Sequence, residues 1–157
     1  MVMRYPGTIF KTKVMNNTRV WIHLMWSTKY RQPFLRNHVR YKVFDHIRHY
    51  AEEAGITLDR INGHMDHVHC LIALQPEQAV ARVVRLLKEE SAFWINKEKL
   101  MPYRFEWEDD YMAASISQAD VPTLRGYIKQ QEKHHYKLTF EDEFKSFVKE
   151  HEYEYSR

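Results

Sequence analysis

Gly63-His64-Met65-Asp66-His67-Val68-His69-Cys70-Leu71-Ile72 is the stretch on which both fold and chemistry turn. Val68, Cys70, Ile72 and Leu74 alternate with their neighbours, the period of a β-strand. Side chains two apart on a strand share a face. His67 and His69 therefore project together, and two imidazoles that close can hold one metal ion. Cys70 falls on the opposite face and reads as a small buried hydrophobe. Asp66 has the same parity and reads as a turn or packing residue, with orientation of a histidine as the alternative.

Outward from this strand the chain alternates strands and helices. Thr18 to Lys29 alternates and is rich in β-formers, and Trp21 and Trp26 read as core. Asn37 can cap a helix running to Ala54, with Gly55 after it as a C′ residue. Ile56 to Ile61 is a short strand, Asn62-Gly63 a turn signal, and the histidine strand spans about Met65 to Leu74. Pro76 opens a second helix to about Ile95, with Val80, Val83, Val84, Leu87 and Phe93 inward. Tyr103 to Ile116 reads as a strand with irregular ends. Asp120 and Pro122 start a helix carrying Tyr127-Ile128-Lys129-Gln130-Gln131-Glu132-Lys133-His134-His135, and Thr139-Phe140-Glu141-Asp142 resembles a capping box for a last helix. The order β-α-β-β-α-β, then α-α, is the split βαβ, ferredoxin-like plan of an α+β protein. The two crossover helices cover one sheet face, and the C-terminal helix is the candidate cover for the other.

A helix turns about 100° per residue. Tyr127 and Gln131, at i and i+4, share a face beside the apolar pair Leu124 and Ile128. If that pair leans on the sheet, the phenol and the amide look toward the surface from which the two histidines project. Two imidazoles, an amide and a phenol are the parts of a metal-assisted tyrosine nucleophile for phosphodiesters. A divalent cation withdraws charge from phosphate oxygens as a Lewis acid, and a nearby cation favours the phenolate of a tyrosine whose ordinary pKa is about 10.

At 157 residues the chain suits one domain, 1–157, with a core over about 18–137 and a helical extension over 139–151. A hydrophobic fraction of 44% supports a real core, and four Gly and five Pro argue against disorder. No apolar run approaches the roughly eighteen residues of a transmembrane helix, and the first residues lack a signal peptide's apolar stretch. No membrane association is therefore expected. The lone Cys70 excludes an internal disulfide framework and fits a reducing cytoplasm. A net charge of +3 permits nucleic-acid binding without arguing for it.

His67-Val68-His69 has the His-hydrophobic-His form of the HUH endonucleases. More narrowly, the Gly63–Ile72 and Tyr127–His135 blocks resemble the two signatures of the single-tyrosine, IS-two-hundred-like insertion-sequence transposases. Trp107…Tyr111…Ser115-Ile116-Ser117 resembles the block between them, and Leu87-Lys88 with Ser91 the second crossover helix. The resemblance spans roughly Thr18 to Phe144. It implies metal-dependent cleavage and strand transfer of single-stranded DNA at the ends of a mobile element, with hairpins as binding sites and Mg2+ or Mn2+ as the metal. It implies His67, His69 and Gln131 as metal ligands and Tyr127 as the nucleophile. It also implies a homodimer in which one subunit's histidines meet the other's tyrosine helix, although helix geometry alone is equally compatible with a site made by one chain. Glu108 and Asp110 depart from the family pattern and, with Asp109, place an acidic cluster where DNA would pass.

Several cations are candidate DNA contacts. Arg82, Arg85 and Lys88 recur at i+3 and could line a phosphate path. Lys29, Arg31 and Arg36, interleaved with Tyr30 and Phe34, could pair and stack with single-stranded bases. His134 shares the face of Tyr127. For each of these a solvated surface residue is the plain alternative. Two other functions compete: a non-catalytic nucleic-acid-binding module, for which a ferredoxin-like sheet with an open aromatic face is also a plan, and a replication initiator or relaxase of the wider HUH group.

Overall fold

The computed structural model describes residues 17–131 and 139–150. Four strands, β1 (Val20–Ser27), β2 (Thr57–Gly63), β3 (His67–Leu74) and β4 (Met112–Ile116), form one antiparallel sheet in the order β2-β3-β1-β4. With crossover helices α1 (Asn37–Glu53) and α2 (Val80–Lys97), this is the ferredoxin-like arrangement that the element order predicts. α3 (Val121–Lys129) and α4 (Phe140–Glu150) follow.

Strand parity divides the interior in two. Ile22, Leu24 and Trp26 of β1 and Val68, Cys70 and Ile72 of β3 join Val43, Phe44, Ile47 and Ala51 of α1 and Val83, Val84, Leu87 and Ile95 of α2 in the main core. On the reverse face a smaller cluster joins Leu71 to Val121, Leu124 and Ile128 of α3. The tail helix therefore covers the second face through the apolar pair expected to lean on it. α3 is tied down at two further points. The Arg125 guanidinium donates two bonds of 2.8 Å to the Asp59 carboxylate of β2. Asn62 Nδ2 donates to the carbonyl oxygen of Ile128 at 2.9 Å, satisfying a helix-end carbonyl that has no partner within the helix.

Several local expectations need correction. Asn62-Gly63 is not the turn: both residues belong to β2, and the reversal lies between Gly63 and His67. Gly63 is required for close approach, because a Cβ there would stand 2.1 Å from the His67 carbonyl oxygen. Asn37 is the first residue of α1 with φ 32°, and Arg36 holds the capping position. α2 starts at Val80 rather than Pro76, since a turn closed by Gln78 N–H to Gln75 O occupies the intervening residues. Phe93 points outward at 66% exposure, because the inward stripe of α2 passes through Leu87, Ser91 and Ile95. β4 begins only at Met112. The segment before it is irregular, yet it buries Phe105 and Trp107, and Trp107 Nε1 donates to Ser91 Oγ at 2.9 Å. Trp21 lies outside the main core, partly buried against α3's cluster, with its Nε1 donating to Gln118 Oε1 at 2.8 Å.

Two outcomes follow from this packing. Gly63→Ala is expected to destabilise the fold by about 1–3 kcal/mol, because the added methyl meets backbone rather than a movable side chain, and urea denaturation will read the change. Burial pushes the Cys70 thiol well above its ordinary range. The native protein should therefore leave Cys70 unlabelled by a thiol reagent at neutral pH, with reaction appearing only on unfolding.

Candidate metal centre and tyrosine

The centre is built on the face of β3 that carries odd-numbered residues. His67 and His69 are fully buried, with ring centroids 5.0 Å apart. The outer nitrogen of each ring is engaged. His67 Nδ1 lies 2.8 Å from Asp66 Oδ1, and His69 Nδ1 lies 2.9 Å from Nε2 of His23, a β1 residue that stacks on it at 5.2 Å. These contacts leave both Nε2 atoms turned toward a common space, since the partner on one ring nitrogen decides what the other can do.

α3 brings the remaining parts. Gln131 is fully buried just past its end, and its Oε1 lies 3.2 Å from His67 Nε2. The long helix expected through His135 is interrupted: α3 closes at Lys129, with Gln130 as its C-cap. Even so, Gln131 and Tyr127 stay on the same side, with Gln131 Nε2 3.5 Å from the Tyr127 carbonyl oxygen. The Tyr127 ring stands edge-on to His69 at 5.8 Å. Histidines, amide and tyrosine thus meet within one chain. His134 lies outside the described residues.

α4 adds Glu143, a residue that the sequence reading did not single out. Its carboxylate is 3% exposed and sits 3.3 Å from His67 Nε2 and 3.2 Å from His69 Nε2. It also accepts hydrogen bonds from Gln131 Nε2 at 3.2 Å and from the Tyr127 hydroxyl. Burial pushes this carboxyl up, but hydrogen bonds from both histidines and their charge outweigh it and bring it down to about 2. Burial pushes the His67 imidazole down, and Asp66 and Glu143 more than reverse that, so it lies above its ordinary value.

A divalent ion fits this donor set. One ligand atom each from His67, His69 and Glu143 lie within 4.8 Å of one another, and Gln131 Oε1 adjoins them. Imidazole nitrogens and hard oxygens together suit Mn2+, and the oxygens suit Mg2+.

The other expected cations are occupied or distant. Lys88 Nζ donates to the carbonyl oxygens of Glu108, Asp109 and Asp110 at 2.6, 3.0 and 3.3 Å, so it is turned inward, away from the phosphate path expected of it. Lys29 pairs with Glu108 at 3.2 Å and Asp109 at 3.8 Å. The acidic cluster is thus held by two lysines. Arg31 pairs with Glu141 of α4 at 3.5 Å and lies over the Phe140 ring at 5.2 Å. Phe34 packs on Tyr103 at 4.6 Å instead of offering a face to bases. Arg82 and Arg85 are exposed, but on α2, which covers the sheet face opposite the histidines.

Of the two residues that partner the outer ring nitrogens, the sequence reading missed His23 and gave Asp66 its role only as the second choice. Asp66 was read first as a turn or packing residue, with orientation of a histidine as the alternative; it takes the alternative and bonds His67 Nδ1, because β3 starts only at His67 and the Asp66 side chain is free of strand parity. His23 had a usable signal: odd-numbered residues of β1 share the face of His69 once β1 is known to lie beside β3.

Residues 16–131 match the family described as Transposase IS200 like. The chain belongs to this family of IS200-like transposases. It is 30% identical over 115 residues to the ISDra2 transposase TnpA of Deinococcus radiodurans, an alignment covering 69% of this chain and 81% of that one. A crystal structure of a candidate transposase from Deinococcus radiodurans superposes with a TM-score of 0.59 at 26% identity, covering 78% of this chain and 98% of the other. A REP-associated tyrosine transposase bound to a REP hairpin shares the fold, with a TM-score of 0.58 at 12% identity over 81% and 74% of the two chains. The match ends at Gln131, so α4 and Glu143 lie beyond the matched residues of this IS200-like transposase.

Asp66→Ala and His23→Leu each remove a partner that orients one imidazole. Each is expected to weaken Mn2+ binding about 10–100-fold, as measured by titration calorimetry, with the far-UV circular dichroism unchanged.

Proposed function

We propose that this IS200-like transposase cuts and rejoins single-stranded DNA through a covalent phosphotyrosine at Tyr127. His67, His69 and Gln131 would hold a divalent ion, Mg2+ or Mn2+. The supporting observation is the convergence of the Tyr127 ring, both Nε2 atoms and the Gln131 amide oxygen in one cluster made by one chain. When bound, the ion supplies Lewis-acid withdrawal of charge from the phosphate.

The residues do the rest. Asp66 and His23 hold the two imidazoles in the orientation that points Nε2 inward. α3, seated on Leu71 and pinned by Asn62, sets the distance of the phenol from the pair. The Tyr127 oxygen bonds phosphorus, one P–O bond of the strand breaks, and the leaving oxygen takes a proton as a hydroxyl. A strand-end hydroxyl can reverse the attack, so joining needs no ATP.

The REP-associated relative is bound to a hairpin, and we extend hairpin binding at element ends to this chain. Arg82 and Arg85 are exposed cations that such a hairpin could meet, on the side of the sheet away from the scissile bond. Two copies of the chain would bring two strand ends together, which is the use we assign to a homodimer. The buried thiol of Cys70 suits action in the cytoplasm. A non-catalytic module reading its ligand on an open sheet face is disfavoured, because α3 occupies that face.

The test uses single-stranded oligonucleotides from the flanks of the gene, with Mn2+. A covalent protein–DNA adduct should form with wild type, fall at least about 1,000-fold with Tyr127→Phe, and vanish with chelator. Adduct formed by the Phe variant at the wild-type rate would reject Tyr127 as nucleophile.

A further inference from the structure

Both imidazoles of the centre have no solvent-exposed surface, so a phosphodiester cannot reach them in this arrangement. α4 supplies the cover. Phe140 stacks on His67 at 4.6 Å, and the Glu143 carboxylate lies against both Nε2 atoms. We infer that Glu143 is a fourth metal ligand, which closes the centre in the DNA-free protein and must withdraw with α4 before a DNA phosphate oxygen takes its place.

This inference rests on reading His67 and His69 as metal ligands, and it deepens that reading. The donor chemistry favours it. Two imidazoles and an amide leave positions open, as a catalytic site requires, and a Glu143 carboxylate would occupy one that a phosphate oxygen otherwise takes. A carboxylate is also the donor that Mn2+ and Mg2+ prefer and that the other three residues lack. It carries the same charge as a phosphodiester and offers the same kind of oxygen, so exchange of one for the other conserves the charge around the ion.

The same contact holds the nucleophile. Tyr127 donates its hydroxyl proton to Glu143, so withdrawal of the carboxylate frees the phenol as it opens the ion. Among the described side chains, the outer attachment of α4 runs through Arg31. Arg31 with Glu141 is an exposed pair with side chains 45% and 55% accessible, the kind of contact that contributes little to stability. α4 itself has a start of its own: Thr139 and Asp142 form a reciprocal cap, with Thr139 Oγ1 donating to Asp142 Oδ2 at 2.7 Å and accepting from Asp142 N–H at 3.2 Å. The helix can therefore move as a unit.

The experiment compares the full chain with its Glu143→Ala, Glu143→Leu and His67→Ala variants. Mn2+ affinity is measured by calorimetry, and water-proton relaxivity per bound Mn2+ reports how many waters reach the ion. Circular dichroism in chelator checks that each variant is folded. The expected result is Mn2+ binding weaker by more than about tenfold in both Glu143 variants, with relaxivity raised in Glu143→Ala as water replaces the carboxylate. At saturating Mn2+ the Glu143→Ala variant should also form the DNA adduct faster than wild type. Wild-type Mn2+ affinity and relaxivity in Glu143→Ala would overturn the proposal, as would a slower adduct at saturating Mn2+. The Leu variant fills the space without offering a donor atom, so a loss of affinity seen in Ala alone would mark a packing effect and also overturn it. Unchanged Mn2+ binding in His67→Ala would instead remove the metal centre itself, a separate failure.

Discussion

The two-sided alternation of β3 is the constraint on which the rest of this molecule depends. The strand is central in the sheet, with β2 on one side and β1 on the other. Its even-numbered residues Val68, Cys70 and Ile72 are locked into the core beneath α1 and α2, and its odd-numbered residues His67, His69 and Leu71 must then face away. A slip of one residue would drive two imidazoles into an apolar core and expose the valine and isoleucine. The register that builds the core is therefore the same register that presents the histidines. Leu71, between them and α3, makes the second face apolar enough to seat Leu124 and Ile128, and this seat is what carries Tyr127 to the pair.

The price of this arrangement is a cluster of buried polar groups, and the structure supplies local partners to the four ring nitrogens of His67 and His69. Asp66 and His23 partner the outer ring nitrogens, and Gln131 and Glu143 meet the inner ones. Removing one member leaves its neighbours desolvated without a partner, which costs more than the bond itself contributes. The acidic run Glu108-Asp109-Asp110 shows the same economy. It departs from the family pattern, yet its backbone carbonyls wrap the Lys88 ammonium, and the Glu108 and Asp109 carboxylates meet Lys29. The cluster and the lysines neutralise one another along the edge between α2 and the loop before β4, so neither the acids nor these lysines act as isolated charges.

Much of the architecture was legible along the chain, for physical reasons that are local. Period-2 alternation marked β1 and β3, period-3.6 stripes marked α1 and most of α2, and Thr139 with Asp142 marked the start of α4. The same locality explains the misplaced boundaries. Asn62-Gly63 carries the composition of a turn, but Asn62 is used to bond the end of α3, 66 residues away, and Gly63 to admit a carbonyl. Phe105 and Trp107 carry the composition of a strand, but they bury themselves from an irregular segment because Ser91 and the core offer them a place.

What the sequence alone determined is what depends on spacing within one element: that His67 and His69 share a side of a strand, that Tyr127 and Gln131 share a side of a helix, and that Cys70 is turned from both. What only the tertiary structure decided is what depends on which elements become neighbours. His23 meets His69 because β1 pairs with β3, and Asp66 reaches His67 because the strand begins after it. Arg31, still exposed, pairs with Glu141 of α4, and Glu143, twelve residues past Gln131, arrives against both imidazoles. Periodicity reports the direction in which a side chain leaves its own backbone, whereas the atoms it meets are set by the packing of the whole chain.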